Sequence, residues 1–379
     1  MWLAPPDPVP PFDGIPQRFH VALAIPARNE AASIATALTA LDTAAASAAD
    51  WIASLRVVVS ANNCGDETAE VAAGYRPRNF TLFVESVDLP LAVAHAGGAR
   101  RAALDRAARF LPQDGVLATT DADSAVAPDW LAAMLGEFAR GVDAVAGAIT
   151  LDPQERARLP RLPGRDAEWH YAGLLAQLED LIDPCPHDPA PRHIWAWGAN
   201  FAVTRRAYDL VGGLPLVPLA EDRALAEQLS RHDFKLRRST APLVYTSARV
   251  DGRAPGGFAD LIRGFADDSN QPCDAALEPI AVFVRRVCWR ARLRAIYENN
   301  GSHAVTAAAR PLIGAAILPP CRYFGMLWAE IEQAAPQLRR QRLYPAQLAG
   351  EIAAAQEWVD RLRRSAVDPA DTRLRAAGR

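Results

Sequence analysis

The sequence lacks the features that would predict a membrane-spanning or secreted protein. No stretch of its 379 residues approaches the roughly 20 apolar residues of a spanning helix, since even Leu312 to Leu318 ends at Pro319. The first residues have no basic start followed by an apolar core, and prolines crowd residues 5–11 instead, so no secretion signal is predicted. We therefore expect a cytoplasmic protein.

The sequence also lacks a strong excess of charge of either sign and any regular spacing of cysteines. A formal net charge of −3 provides no basic field that would hold nucleic acid, so no nucleic-acid partner is expected. The five cysteines are scattered without metal-ligand spacing, and their odd number predicts free thiols. Hydrophobic residues make up 50% of the chain and charged residues 22%, which is the balance of a folded globular protein.

Apolar runs of strand length alternate with segments of helical spacing over the first 150 residues. Val21 to Ile25 is a short apolar run closed by Pro26, and Glu30 to Leu41 follows with apolar residues at helical spacing. The same pattern recurs with predicted strands at 56–60, 81–84 and 116–120, and with predicted helices at 68–73, 99–110 and 128–139. This alternation predicts an α/β fold with a mostly parallel sheet, helices on both faces and ligands at the carboxyl ends of the strands.

Three regions are predicted along the chain. Residues 1–18 form a proline-rich arm, residues 19–257 form the sheet domain, and residues 258–379 form a helical C-terminal region. Within the sheet domain, residues 151–193 lose periodicity and gain prolines, which predicts an irregular insertion or loop beside the site. Beyond it we expect a strand at 195–203, a helix at 221–232 and two short strands within 235–246.

Two aspartates follow the fourth predicted strand. Asp121 and Asp123 flank Ala122, so in an extended chain their side chains diverge. A hard divalent ion such as Mg²⁺ or Mn²⁺ takes oxygen ligands, bridges a carboxylate to phosphates and neutralises charge on a departing diphosphate. The alternative is an aspartate-rich turn that caps the helix at Pro128, because Asp-x-Asp alone is a common sequence.

Polar residues follow the first two strands as well. Asn29 can cap the helix after the first strand, and a helix N-terminus favours an anion. The segment from Asn62 to Thr68 has the composition of a turn followed by a helix cap. Each feature has an ordinary structural explanation, yet the three strand ends would surround one crevice.

Taken in order, these motifs resemble the family-2 glycosyltransferases of the GT-A fold. The resemblance covers about residues 20 to 250 and rests on the segments 24–30, 62–68, 96–102, 120–124, 198–203 and 220–222. It implies an enzyme that transfers a sugar from a nucleotide-diphosphate sugar to an acceptor hydroxyl, with inversion and with a divalent metal, Mg²⁺ or Mn²⁺. No Gln-x-x-Arg-Trp motif of processive synthases follows Asp222, so single transfers are expected.

The resemblance also implies a role for each matching residue. The nucleotide-sugar side would comprise Pro26, Ala27, Asn29, Glu30, Asn62, Arg100, Asp121, Ala122 and Asp123. Asn62 would face the base or ribose, and Arg100 would lie near the base. Asp121 and Asp123 would form the metal motif, with Asp123 as the preferred direct ligand. The acceptor and diphosphate side would comprise Trp197, Gly198, Asn200, Glu221 and Arg253.

Asp222 matches the family's catalytic base. A carboxylate at the start of the helix 221–232 is kept ionised by the helix dipole, as a general base requires. The alternative is that Glu221 and Asp222 only satisfy the helix N-terminus. Asn62 stands where many relatives have an aspartate, so the nucleobase is not predicted, and the donor sugar and the acceptor also stay open.

Three further features have two interpretations each. Arg249 or Arg253 could bind the diphosphate, or the glycine-rich segment around them could be a linker. Trp169, Trp195 and Trp197 could stack on a sugar, although burial at a domain junction is the more ordinary explanation. The arginines of the late helical segment could meet an anionic membrane or lipid-linked acceptor, but a solvated face is preferred; they are Arg285, Arg286, Arg290, Arg292 and Arg294.

Two rival functions are considered. A sugar-1-phosphate nucleotidyltransferase should carry a glycine- and arginine-rich phosphate loop after the first strand, which residues 27–30 lack. A non-catalytic protein that binds a nucleotide sugar belongs to a different class, and the sequence does not decide against it.

Overall fold

A mixed sheet organises the molecule. The computed structural model describes residues 17–156, 165–249 and 270–367, together with residues 252, 260, 263 and 264. Within them the sheet has eight strands in the order β3-β2-β1-β4-β7-β6-β8-β5. The strands are β1 Phe19–Ala27, β2 Ile52–Asn62, β3 Thr81–Val87, β4 Val116–Thr119, β5 Ser124–Val126, β6 Ala144–Leu151, β7 Phe201–Thr204 and β8 Leu236–Thr246.

Strands β1 to β4 run parallel, as the alternation predicts, and so do β6 and β8. Strand β7 is antiparallel to both β4 and β6, and β5 is antiparallel to β8. The carboxyl ends of β1, β2 and β4 therefore share one edge of the sheet with the amino end of β7, where residue 198 begins a short 3-10 turn. The segments implied to bind the donor and to carry the base meet at this edge.

Helices cover both faces of the sheet and form the C-terminal region. They are α1 Ile34–Ser47, α2 Thr68–Gly74, α3 Ala96–Ala108, α4 Trp130–Ala139, α5 Pro153–Arg156, α6 Arg165–Ile182, α7 Arg205–Leu210, α8 Glu221–Arg231, α9 Ile280–Ala308, α10 Arg310–Ile313, α11 Phe324–Ala334 and α12 Leu348–Val367. Helix α9 is interrupted at Gly301, whose φ of 76° is left-handed. No helix in the described part of the chain is long and apolar enough to cross a bilayer.

The side chains of β1 alternate between two cores. Leu23 and Ile25 pack with α1 and α4, whereas Ala22 and Ala24 pack with α3 and α8 on the other face. Alanines on both β1 and α3 let that helix lie close to the sheet, because a methyl group occupies little space. Burial on both faces explains why β1 reads as a continuous apolar run.

The structure corrects three predicted elements. Residues 165–182 form the 18-residue helix α6 inside the segment predicted to be irregular. Its buried residues Tyr171, Leu174, Leu175 and Leu178 have helical spacing, but the prolines on both sides of the segment favoured the prediction of an irregular loop. Residues 236–246 form one strand rather than two, with a register shift against β6. Of the strand predicted at 195–203, only residues 201–203 are extended in the sheet, as part of β7.

The helical C-terminal region is confirmed, and it packs on α6. Tyr171 of α6 lies in one hydrophobic cluster with Phe283 of α9 and Val359 of α12. The solvated face predicted for the basic helix is wrong in part. Arg286 is buried against Glu278, and Arg290 lies 2.9 Å from Glu179 of α6, so these arginines bind inward because carboxylates face them.

An ionic cluster joins helix α9 of the C-terminal region to α6 and the sheet. Its members are Glu179, Asp183, Asp188, Arg192, Arg237, Arg238, Arg290 and Arg294. Asp188 and Arg192 have side chains only 2% exposed and lie 2.8 Å apart. Buried charges of this kind are tolerated because each one has partners of opposite sign.

His193 is expected to make stability depend on pH. Its Nε2 donates to the Ala146 carbonyl at 3.1 Å, and its Nδ1 accepts the Trp195 N–H at 3.2 Å, so the neutral ring is satisfied on both sides. Burial, helped by the charge of Arg238, lowers the pKa of His193 from 6.5 to about 4. Protonation therefore favours the unfolded chain: the stabilisation is complete above pH 6.5 and is lost as the pH falls towards 4, by up to about 3 kcal/mol.

Urea unfolding of the wild type and of His193→Gln at pH 7.5 and pH 4.5 measures this effect. The wild type should lose more unfolding free energy between the two pH values than the variant does, because only the wild type carries the titrating ring. Equal losses in both proteins would contradict the assignment.

Candidate functional site

The side chains of Glu30, Asp123 and Arg249 meet at the carboxyl edge of the sheet. Arg249 donates from Nη1 and Nη2 to the two carboxylate oxygens of Glu30, at 3.0 and 2.7 Å. The same Nη2 lies 2.8 Å from Oδ2 of Asp123. The position of Glu30 is fixed by its backbone N–H, which donates to the Thr68 hydroxyl at 2.8 Å. Arg249 thus carries the positive charge between two of the predicted donor-side residues.

The charge around Asp123 is unbalanced. Burial raises the pKa of Asp123, the carboxylates of Asp121 and Glu30 add to the shift and Arg249 opposes it, and the resulting pKa is about 6. A cation at this place would relieve the repulsion between these carboxylates. The local field therefore favours a bound cation.

The oxygen donors present fit a hard divalent ion. Asp121 and Asp123 follow β4 directly, and their side chains are 32% and 17% exposed, so both can be reached from the crevice. No group of three or more potential ligands is found among the described residues. A metal held by Asp123 and Asp121 would take its other ligands from water or from a bound diphosphate, as Mg²⁺ commonly does.

Arg100 of α3 lies at the centre of the site but is not free to meet a nucleobase. Its side chain is 9% exposed. It donates to Thr119, Asp121, Gly198 and Glu221, using four of its five N–H groups. The guanidinium binds the protein itself, and the nearness of Arg100 to the base stays a prediction.

Asp222 is held by backbone amides beside this arginine. Its Oδ2 accepts the Gly198 N–H at 2.8 Å and its Oδ1 accepts the Arg223 N–H at 2.7 Å. Burial raises the pKa of Asp222, and Glu221 adds to this, while Arg100 and the two amides lower it. The net shift is upward, because burial and Glu221 outweigh Arg100 and the two amides, whereas the helix-dipole argument predicts a downward shift. A raised pKa makes the carboxylate a stronger base.

The first two strand ends hold each other rather than presenting free donors. Asn62 is buried, and its Nδ2 donates to the Ala27 carbonyl at 2.9 Å, so its amide nitrogen is bound to β1. Asn29 has a left-handed φ of 55° and accepts the Gly65 N–H on its side chain at 2.8 Å. It does not cap α1, whose N-cap is Ser33. Pro26, near the end of β1, is partly exposed.

The acceptor-side predictions divide. Asn200 is fully buried, and its amide bonds to Trp130, Ala148 and Pro242 leave it no free donor, so its role is to join β6, β8 and α4. Trp197 is partly buried, with its ring centroid 5.3 Å from that of Trp195 in a stacked arrangement. Among the predicted residues, Gly198 and Glu221 lie beside Asp222, Ala122 is buried behind the aspartates, and Arg253 lies outside the described residues.

Sequence reasoning missed Thr119 and left the role of Arg249 open. Thr119 has no motif signal, because its contact with Arg100 depends on the approach of α3 to β4. Arg249 was one of two candidates, and only the fold shows that it reaches both Glu30 and Asp123.

Part of the chain matches a known protein family. Residues 22–188 match the family model described as "Glycosyl transferase family 2", which confirms the resemblance over that segment. No curated protein matches the chain.

Several solved structures are similar in fold. A mannosyltransferase from Pyrobaculum calidifontis in complex with GDP-Man and Mn²⁺ is 18% identical with a TM-score of 0.43, over 86% of this chain and 90% of that chain. Glucosyl-3-phosphoglycerate synthase from Mycobacterium tuberculosis, in complex with Mn²⁺, UDP and phosphoglyceric acid, is 17% identical with a TM-score of 0.38, over 65% and 77%. Mannosyl-3-phosphoglycerate synthase from Rubrobacter xylanophilus is 16% identical with a TM-score of 0.34, over 75% and 76%.

Proposed function

We propose that this chain, whose residues 22–188 match the family-2 glycosyltransferases, transfers a sugar from a nucleotide-diphosphate sugar to an acceptor hydroxyl with inversion, one sugar per encounter. One observation carries the proposal. Asp121 of the metal motif and Asp222 of the base motif lie on either side of Arg100, which contacts Asp121 directly and holds Gly198, the partner of Asp222. The metal motif that would bind the diphosphate and the base that would act on the acceptor hydroxyl are therefore linked through one residue.

Asp222 acts on the acceptor. Its carboxylate takes the hydroxyl proton while that oxygen forms a bond to the anomeric carbon, and the bond from that carbon to the diphosphate oxygen breaks. The electron pair leaves with the nucleoside diphosphate, and attack from the opposite face inverts the configuration. The raised pKa of Asp222 favours acceptance of the proton.

The donor side stabilises the leaving group. A divalent metal, when bound at Asp123 and Asp121, neutralises charge that accumulates on the diphosphate. Arg249, which binds Glu30 and Asp123 in this structure, is a cation at the same place and supplies further positive charge. Pro26 of β1 and Glu30, which follows that strand, border the nucleotide.

Nucleotide binding that depends on metal and on Asp123 tests the donor side. Melting temperatures should be measured with UDP, GDP and TDP and with their common sugar conjugates, with and without Mn²⁺. A nucleotide at 100 times its Kd should stabilise the wild type by about 2.7 kcal/mol. Asp123→Asn should remove that gain because it removes a metal ligand, while Asp129→Asn, an exposed aspartate that caps nothing through its side chain, should keep it.

A stabilisation equal with and without Mn²⁺, and retained in Asp123→Asn, would argue against the metal role. No stabilisation by any nucleotide would remove the transferase proposal. Binding without transfer to any acceptor or to water would favour the non-catalytic binder.

A further inference from the structure

Arg100 connects three separate segments of the site. Its Nη2 donates to Oδ1 of Asp121 at 2.8 Å, and its Nη1 donates to the hydroxyl of Thr119 at 3.2 Å. Arg100 therefore binds the last residue of β4 and the aspartate two positions after it. Nη1 also donates to the Gly198 carbonyl at 2.9 Å, and Nε donates to Oε1 of Glu221 at 3.0 Å. Both of these partners are next to Asp222: the Gly198 N–H donates to its carboxylate, and Glu221 precedes it in the chain.

Gly198 is fixed from both of its backbone polar groups. Its carbonyl accepts from Arg100 while its N–H donates to Asp222 at 2.8 Å. A Cβ at this position would lie 2.6 Å from Cζ and from Nε of Arg100, which is closer than real atoms approach. The glycine is therefore required by the guanidinium, and the two residues form one unit that carries Asp222.

The loop before α8 is fixed against the same helix. A Cβ on Gly97 of α3 would lie 2.2 Å from the Val217 carbonyl and 3.2 Å from Cβ of Glu221. Ala220 has a left-handed φ of 58°, which turns the chain into α8. Glu221 is thereby pressed against the start of α3, where Arg100 binds it.

We infer that Arg100 is a positioning residue, which sets the carboxylate of Asp222 relative to Asp121 of the donor motif by holding Gly198 and Glu221. This inference rests on the proposed function for the meaning of Asp222, and its geometry stands on the contacts above. Four of the five N–H groups of Arg100 are used within the protein, so we expect it to act through these partners and not through contact with a substrate. A lysine keeps the charge but has no planar fork to span these partners.

Three variants distinguish the effect of the guanidinium geometry of Arg100 from the effects of its charge and of a general loss of stability. Arg100→Lys keeps the charge, Arg100→Ala removes the side chain and leaves room for a guanidinium ion, and Arg106→Lys is the matched control. Arg106 lies on the same helix, is 43% exposed and pairs only with Glu85 in the salt bridges of the described residues. The reaction to follow is hydrolysis of UDP-glucose and GDP-mannose with Mn²⁺, with water as the acceptor, beside the Kd of UDP and GDP by calorimetry.

Both Arg100 variants should lower kcat by about 100-fold, because a displacement near 1 Å of a reacting group costs about that much. The nucleotide Kd should change much less than kcat, because Asp123 and Glu30 keep their contacts and only Asp121 loses its bond to Arg100. Millimolar guanidinium chloride, but not sodium chloride, should restore part of the activity of Arg100→Ala. Hydrogen exchange of the Gly198 amide should become faster in both variants and remain unchanged in Arg106→Lys.

A Kd that rises with kcat unchanged would make Arg100 a donor-binding residue and overturn the inference. Unchanged kcat, or unchanged exchange of the Gly198 amide in Arg100→Lys, would also overturn it. If Arg100→Ala does not fold, Arg100→Lys decides alone. If the wild type binds no nucleotide and hydrolyses no donor, the proposed function fails, while the exchange measurement still shows whether Arg100 holds the partner of Asp222.

Discussion

Asp222→Asn is expected to lower the rate of sugar transfer by about three orders of magnitude, within the range of about 10² to 10⁴ that a positioned general base supplies. The amide has the shape of the carboxylate and can still accept the Gly198 N–H, which lies 2.8 Å from Oδ2. It cannot take the proton of the acceptor hydroxyl. The loss should therefore fall on kcat, whereas the Kd of the nucleotide stays nearly unchanged.

The measurement pairs steady-state transfer or donor hydrolysis with calorimetric titration of the nucleotide in the presence of Mn²⁺. Glu227→Gln is the matched control, because Glu227 lies on the same helix, is 63% exposed and pairs only with Arg231 in the salt bridges of the described residues. The control should keep wild-type kcat. An Asp222→Asn protein that retains most of its turnover would remove the base assignment and leave Asp222 as a partner of backbone amides alone.

The strand ends that carry the site could be predicted from the sequence. Each follows an apolar run that both faces of a parallel sheet must bury, so the position of Asp121 and Asp123 after β4 is fixed by local pattern and topology together. Helix α8 and its acidic start were predicted for the same kind of reason, since Leu225 and Leu229 give it a buried stripe.

The partners of the polar residues could not be predicted. Arg100 binds Gly198 and Glu221, which follow it by 98 and 121 positions, and no spacing along the chain contains that contact. Asn200 shows the converse, because a motif residue implied to serve the acceptor is fully buried and binds Trp130. Motif order indicates which residues share an edge, and only packing shows which of them face the crevice.

The helix α6 illustrates a different limit. Its apolar stripe has helical spacing, yet the stripe is useful only because α9 and α12 lie against it, and those helices follow it by about a hundred residues or more. Its acidic residue Glu179 binds Arg238 of β8 and Arg290 of α9. The prolines on both sides of this segment predict an irregular conformation, but packing against α9 and α12 stabilises the helix.

Asp188 pairs with three of the five arginines of the ionic cluster, as Glu179 does. Its Oδ2 accepts from Arg192 and from Nε of Arg238, each at 2.8 Å, and its Oδ1 accepts from Arg237 at 3.2 Å. Burial raises the pKa of Asp188, but Arg238 and Arg192 outweigh it and bring the pKa from 3.8 to about 2. The charged form therefore contributes stability that is complete above pH 3.8 and is lost as the pH falls through 2, by about 2 kcal/mol.

Asp188→Asn should cost more than this protonation term, about 3 to 5 kcal/mol, because it leaves the guanidinium groups of Arg192, Arg237 and Arg238 together with one carboxylate fewer in a buried place. Urea unfolding at pH 7 measures the loss, with Asp114→Asn as the control, since Asp114 is exposed at the amino end of β4. A loss below about 1 kcal/mol, as for a surface pair, would show that water already solvates the cluster. Because Glu179, Asp188 and Arg290 lie on different segments, the variant should also lose protection from hydrogen exchange in both α6 and α9. Loss of protection confined to β8 would contradict the view that these ion pairs join α9 to the sheet.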